Sequence, residues 1–495
     1  MEFDYVIIGA GASGCVLAER LSARRDARVL IVEAGAPDSH PSIPVPGRWT
    51  TLLGSELDWG YRTEPDPALG GRQVSWPIGR TYGGSTAINA MAHVRGHPLC
   101  FDGWADDLGR AWSFASLLPH FRRLEDNSRG ASDYHGAGGP LAVSDTTDPH
   151  GGHLAFLEAA RDRGFAADPQ FDFNGARHEH GAGFYQKTIR NGRRVSAADA
   201  FLRPALARPT LTAWPNTRVR RVLFTGARAT GIECEQSGRV VQVRAVRGVV
   251  LTAGVIESPK LLMLSGVGPA GELRRHGIGV IADRPGVGAN LHDHPRVSVR
   301  WAGRTMLPAS SVSAGLLAFS GRTAGSRPPD IQFYVGRGTD TPDDSITLTV
   351  AVSQVRSRGS VALGSSDPSA PPLIRPNYFA DPSDLDAMVD AVDLARALGE
   401  SRAFDALRGE PVAPDGSVGS AAGIRAFIRS TSATMFHPVG TCRMGSDADS
   451  VVDPQLRVRG VERLWVADAS VIPTVVNTQI QAVVMVIGYR AAEEI

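Results

Sequence analysis

The sequence predicts a mixed α/β fold that opens on a Rossmann-like nucleotide-binding unit. Three observations predict it. The first residues run strand, glycine turn, helix, strand and acid without interruption. A second glycine-rich stretch follows at 79–89. The chain then returns to strand and helix character at its end, after a long middle of different composition.

The opening unit is the most informative. Asp4 to Ile8 is an apolar run of strand length, and Gly9-Ala-Gly11-Ala-Ser13-Gly14 follows at once. From Cys15 to Ala23 the apolar residues Val16, Leu17, Ala18 and Leu21 stand at helical spacing, and Val29 to Val32 is a second strand that ends in Glu33. This order is the context in which a G-x-G-x-x-G run carries meaning. Gly9 permits the tight turn, Gly11 lets backbone approach a pyrophosphate, and Gly14 lets helix pack on strand. The helix N-terminus offers free N–H groups and a partial positive charge to phosphate. Glu33 is placed to accept hydrogen bonds from a ribose.

Residues 35–77, rich in Pro, Gly and Trp, read as irregular structure, and composition shifts near 115. From Thr210 to Thr252, β-rich runs alternate with turn residues, which predicts an antiparallel meander. Ser258-Pro259 predicts a short helix through Leu264, with proline at its first position and Gly266 as its stop. Strands are expected near 331–335, 346–355 and 360–363, a helix near 383–398, and a surface stretch at 408–423. Arg463 to Ala467 reads as a strand and Val483 to Glu494 as a helix.

Composition narrows the function. The chain has 495 residues, 42% hydrophobic and 21% charged, as in an ordinary globular protein. Lys+Arg is 52 and Asp+Glu is 51, so the net charge of +1 gives no basic excess for nucleic acid or anionic membrane. Four cysteines stand at 15, 100, 234 and 442 with no C-x-x-C pair. They build no disulfide framework and suit a reducing compartment. The chain contains no clean apolar stretch of membrane-spanning length, and a strand begins almost at the first residue. A cytoplasmic protein with no membrane span is expected, and no residues read as a metal site.

Extension of the first glycine turn by the second glycine stretch and by Ala467-Asp468 tilts the reading from NAD toward FAD. Asp468 by itself reads as a cap or turn residue. His437, in Met-Phe-His-Pro-Val-Gly-Thr, is held extended by the proline that follows, and Gly440 lets the backbone pass close to a neighbour. The amides Asn477, Gln479 and Gln481 stand just ahead of the last helix, where amides commonly cap.

Together these residues resemble the glucose–methanol–choline (GMC) family of FAD-dependent oxidoreductases. The resemblance runs the whole chain and is carried by 3–35, 79–96, Leu251 to Pro269, Arg284 to His294, and 435–495. It implies an FAD-binding domain assembled from discontinuous segments, 1–114, 191–298 and 431–495. A substrate domain built on an antiparallel sheet would take 115–190 and 299–430. It implies that Gly9, Gly11, Gly14 and Glu33 hold the ADP half, with Ser13, Ala34 and Arg80 among the cofactor contacts, and that the backbone of Val219 meets adenine. Gly83, Gly84, Asn89 and Met91 would lie along the pyrophosphate and isoalloxazine, and Asp468 and Ala469 would close over the cofactor. Some relatives attach FAD through a histidine beside the equivalent of Asn89. Ile88 stands there, so non-covalent FAD is expected.

By the same resemblance His437 is the active-site base. Removing hydride from a carbinol requires the hydroxyl proton to leave as well, and a neutral imidazole within hydrogen-bond reach accepts it. The family's partner to that histidine is Asn or His. Counting without gaps places Gln479 there, and a slip of two residues places Asn477. The resemblance points to oxidation of a small primary alcohol, aromatic or heterocyclic among the candidates, with O2, a quinone or another acceptor as oxidant. Two alternatives stand beside it: a flavin-containing hydroxynitrile lyase-like enzyme and a non-catalytic flavin-binding protein. The chain is short for the family, which implies trimmed loops in the substrate domain.

Overall fold

The structure, a computed structural model, describes residues 1–176, 180–308, 310, 312–321, 327–336 and 345–495. The opening strand Glu2–Ile8 is central. It pairs in parallel with Val29–Val32 on one side, Tyr5 opposite Val29 through Ile8 opposite Val32, and with the long strand Arg239–Leu251 on the other. Leu211–Trp214 extends the parallel run beyond Val29–Val32, and Leu464–Val466 extends it beyond the C-terminal end of Arg239–Leu251. Strands covered on both faces read as continuous apolar runs rather than alternation, which is why Tyr5 to Ile8 and Val29 to Val32 were visible in the sequence. The expected meander forms from Thr217–Thr225, Arg228–Gln236 and Arg239–Leu251. Its last strand leaves the meander to become the middle of the parallel sheet.

The C-terminal helix Gln481–Glu494 packs along the opening helix Ala12–Ser22, and the Tyr5 hydroxyl donates to the Ile495 carbonyl at 3.1 Å. Chain start and chain end thus share one core.

A second, mainly antiparallel sheet is ordered Arg408–Ala413, Pro295–Gly303, Ser345–Val352, Ile331–Val335, Ala314–Ala318, Gly181–Phe184 and Ala166–Ala167, the last pair being parallel. The helix Pro382–Gly399 packs on it and closes a separate core around Phe156, Leu348 and Met388. The α/β class with an added antiparallel sheet is therefore the observed architecture.

Three local expectations need correction. The helix expected from Ser258 begins at Gly254, so Pro259 lies inside it. Proline has no N–H for the carbonyl four residues earlier, and that carbonyl, on Val255, accepts from Thr441 Oγ1 at 2.6 Å instead. The stretch at 408–423 contains the edge strand Arg408–Ala413, whose partner Pro295–Gly303 is remote in sequence. The helix Phe114–Leu124, placed at the boundary by composition, buries Leu117, Phe121 and Leu124 in the first core against the C-terminal helix. The shift in composition near 115 therefore does not coincide with a change of core.

Candidate active site

The glycine turn positions the first wall of a long cleft between the two sheets. A Cβ on Gly14 would stand 2.0 Å from the Gly9 carbonyl oxygen, so only glycine lets the opening helix start this close to its strand. A Cβ on Gly11 would meet nothing nearer than 4.0 Å, and Gly11 lines the cleft, so a side chain there would fill the cradle. Gly84, at φ +52°, would place a Cβ 2.8 Å from Gly11 Cα. Bare backbone against bare backbone brings the second glycine stretch onto the first, and the amide of Gly83 donates to the Ala10 carbonyl at 2.8 Å.

Gly9, Gly11, Ser13, Glu33, Ala34, Gly84, Asn89, Met91 and Val219 line this cleft. Asp468 and Ala469 close it from the C-terminal segment. Glu33 accepts from the Ala10 amide through Oε2 and from the Gly35 amide through Oε1, each at 2.9 Å. Burial pushes its carboxyl upward against the pull of those amides. Each oxygen keeps a further lone pair for a ligand hydroxyl.

Four expected contacts are not on the cleft wall. Gly14 serves helix packing and Gly83 ties the two turns together. Arg80 stacks its guanidinium over the Trp59 ring at 5.5 Å. Asn477 is fully buried elsewhere: its Oδ1 accepts from the His97 amide at 2.8 Å and its Nδ2 donates to the Pro329 carbonyl at 3.3 Å. With both amide groups engaged, it does not partner His437.

Gln479 does line the cleft, and its buried Oε1 has no hydrogen-bond partner among the described residues; Gln481 Nε2 is in the same state. Gln481 Oε1 accepts from Asn89 Nδ2. Neither amide caps the last helix, whose N-cap Ile480 makes no side-chain bond. Asp468 lines the wall, but Oδ1 accepts from the Ser470 amide and hydroxyl and Oδ2 from the Gly254 amide and the Ser258 hydroxyl, all at 2.6–2.8 Å. It caps a short turn and clamps two segments rather than reaching outward.

His437 also lines the cleft and is 8% exposed. Its Nδ1 faces His294 Nδ1 at 3.0 Å with the rings at 88°. Its backbone amide donates to Asp293 Oδ1 at 2.9 Å, and Asp293 Oδ2 accepts from the Tyr378 hydroxyl at 2.6 Å. His292 spans Asn290 O at 2.7 Å and the Val475 amide at 2.9 Å. Burial, with a smaller part from His294, holds the His437 imidazole well below the usual histidine range. Burial likewise holds His294 down at about 4 and His292 at about 3, and raises Asp293 to about 6. Both histidines of the facing pair are neutral at working pH. Their contact needs one donor and one acceptor. With the His437 proton on Nδ1, donated to His294, Nε2 carries the lone pair toward a ligand.

His292, Asp293 and His294 fall in the family-like stretch Arg284 to His294, to which sequence reasoning assigns no role. The signal was three consecutive polar residues between Leu291 and a strand whose first residues are buried. Sequence reasoning also misses Arg296, Tyr334 and Thr349, which line the same cleft.

The cleft fits FAD. It joins a nucleotide-type glycine turn to a buried histidine by a backbone cradle, and it holds two buried amide atoms, Gln479 Oε1 and Gln481 Nε2, for which a polar ring edge supplies partners.

Comparison with known proteins agrees with this geometry. The N-terminal and C-terminal models of the GMC oxidoreductases match residues 3–296 and 355–488. An oxygen-dependent choline dehydrogenase of Brucella suis is 37% identical over 530 residues, covering 100% of this chain and 96% of the relative. The crystal structure of pyridoxine 4-oxidase from Mesorbium loti superposes with a TM-score of 0.94 at 34% identity, covering 99% and 98% of the two chains. A formate oxidase of Aspergillus oryzae superposes at 0.91 with 27% identity, covering 100% and 98%. The chain belongs to the GMC oxidoreductase family and is an FAD-dependent oxidoreductase.

Proposed function

We propose that the protein oxidises a small primary alcohol, on an aromatic or heterocyclic frame, to the aldehyde, and that it holds FAD non-covalently. The observation that carries the reading is His437, a buried neutral imidazole whose Nδ1 is engaged by His294, set on the same cleft as the glycine cradle. The relatives add support by name, being a choline dehydrogenase and a pyridoxine 4-oxidase. FAD, when bound, supplies the acceptor for the two electrons that leave the carbinol as hydride. His437 Nε2 takes the hydroxyl proton. Gln479, at the wall with a free amide oxygen, orients the carbinol. Ile88, buried at 2% exposure among Ile43, Leu52 and Leu57, offers no atom for a bond to flavin. An external oxidant, O2 or a quinone, completes the cycle.

The test is anaerobic stopped-flow bleaching of the flavin with a panel of primary alcohols. His437→Ala slows bleaching by about 10²–10⁴-fold. An unchanged rate removes His437 from the role. Acid precipitation of the wild-type protein leaves the yellow flavin in the supernatant, and flavin in the pellet would mean a covalent link. Peroxide formation separates oxidase from dehydrogenase.

A further inference from the structure

The end of the second glycine stretch is held by a buried cation that does not itself line the cleft. The short strands Ile189–Arg190 and Arg193–Arg194 pair antiparallel across Asn191-Gly192, both at positive φ, a residue pair that suits a two-residue hairpin turn. Successive strand residues face opposite ways, so Arg193 is exposed while Arg194 is buried, 3% exposed. Arg194 Nε donates to the Ile43 carbonyl at 2.8 Å. Its Nη1 donates to the Asn89 carbonyl at 2.7 Å, to Asn89 Oδ1 at 2.9 Å and to the Thr86 carbonyl at 3.3 Å. Burial lowers the guanidinium to about 9. It is still a cation at neutral pH and has only donors to offer.

That contact decides how two amides lie, because the oxygen and nitrogen of an amide are told apart by their partners. Asn89 Oδ1 receives two groups that can only donate, Arg194 Nη1 and the Met91 amide at 3.0 Å. Asn89 Nδ2 is thereby turned the other way, and it donates to Gln481 Oε1. Gln481 is left with Nε2, which is buried and has no hydrogen-bond partner among the described residues. Asn89 and Gln481 both line the cleft, and Gln481 is the first residue of the terminal helix. One relay of donors therefore runs from the hairpin, through the second glycine stretch, to the start of the last helix.

We propose that Arg194 is a positioning residue that, through Asn89, fixes Gln481 with its N–H toward the bound flavin, and that this donor raises the flavin's midpoint potential. Hydride brings two electrons and one proton to the neutral ring and leaves it with a negative charge. A donor at the ring edge is stronger against that charge than against the neutral oxidised ring, so it favours the reduced form. An amide oxygen in the same place would favour the oxidised form. Each bond of the relay also polarises the next. A purely structural Arg194 would only staple the turn after Gly84–Ala87 to Ile43, and the potential would not depend on it. The inference rests on the flavin that family membership brings and needs no particular substrate.

The test is the midpoint potential of the FAD-loaded protein at fixed pH, read by reductive titration against reference dyes with no alcohol present. Gln481→Leu removes the end donor and disfavours the reduced flavin relative to the oxidised one by about 10-fold, which for a two-electron couple lowers the potential by about 30 mV. Arg194→Lys keeps the charge but loses the planar fork, releases the Asn89 amide and lowers the potential by part of that amount. The double variant matches Gln481→Leu alone, because the arginine acts through the amide. An unchanged or raised potential in Gln481→Leu means that the amide oxygen meets the flavin and overturns the proposal. A potential unmoved by Arg194→Lys, or additive shifts in the double variant, overturns it as well by making Arg194 structural. Where the lysine variant does not fold, Asn89→Leu cuts the same relay while Arg194 keeps its three backbone carbonyls; it lowers the potential, and an unchanged value there overturns the relay. A wild type that no alcohol bleaches sinks the alcohol reading and leaves all of these potentials measurable.

Discussion

Two histidines that meet through Nδ1 share one proton between them, and the tautomer that serves the proposed base is the one in which His437 donates and keeps the lone pair on Nε2. In that tautomer His294 accepts at Nδ1. We infer that His294 is a positioning residue that holds the proposed base, His437, in this tautomer. The base works only when neutral, so the limiting rate of flavin bleaching rises with pH through the His437 ionisation. Burial has moved that ionisation well below 6.5, so the rate is flat above about pH 7 and falls only in acid. His294→Leu removes a cause that holds it low, so the acid limb moves to higher pH while the rate at pH 8 drops about 10-fold or more. His294→Asn, which keeps an acceptor, restores part of the rate. An unshifted acid limb in the Leu variant would show that His294 only fills space. His437 was legible in the sequence because the proline and glycine beside it are local signals. His294 was not, because its role is a contact between residues 143 apart. Asn477 and Gln479 were indistinguishable by type; which amide faces the cleft depends on the course of the segment ahead of the last helix.

At the scale of single elements, what lies between neighbours along the chain was readable and what lies between distant strands was not. The opening βαβ unit, the meander and the terminal helix carry their own periodicity and turn residues. The edge strand Arg408–Ala413 has its partner more than a hundred residues away, and its Pro/Gly-rich neighbours read as surface. The helix Gly254–Leu264 is the instructive error. A proline marks the first turn of a helix when the chain has no other donor for the carbonyl it leaves open. Here Thr441, from the segment just after His437, supplies that donor. The bond therefore ties the cofactor-side helix to the catalytic segment. Thr441→Val strands a buried carbonyl and costs about 1–3 kcal/mol, read as a lower urea midpoint with an unchanged slope. Pro259→Ala restores an N–H four residues from Val255, so the double variant recovers much of the loss. Additive losses in that cycle would mean that the Thr441 hydroxyl does not serve the Val255 carbonyl.

Over the whole molecule, the residues that shape the site also join its segments, and most of them are buried neutral histidines. His292 binds the Val475 amide, Asp293 binds the His437 amide, and His294 binds His437 itself. His153 and His292 are held at about 3 and His294 at about 4 by burial, with His437 also well below its ordinary value of 6.5. In the unfolded chain each takes a proton near pH 6.5. Between 6.5 and 4 the unfolded state therefore binds more protons, and the stability these groups contribute, complete above 6.5, is lost as pH falls. Asp293, raised to about 6 from 3.8, works the other way across the same window and offsets one of them. His135, raised to about 9 by Asp172 and Glu125 against its burial, contributes fully below 6.5 and loses its part only as pH rises through 9. On the acid side the lowered histidines outnumber the raised carboxyl of Asp293, so these groups together make stability fall as pH drops from 6 to 5. None of this can be read from a net charge of +1, since the same histidines on a surface would give no slope. Because His292, His294 and His437 join the segments that border the cleft, flavin release and loss of the fold are expected to share one cause. Urea midpoints drop steeply from pH 7 to pH 5, and on acidification the rise in free-flavin fluorescence tracks the loss of helical circular dichroism. A midpoint that holds to pH 5, or flavin that leaves well before the helices melt, would place the acid-labile joint somewhere other than these histidines.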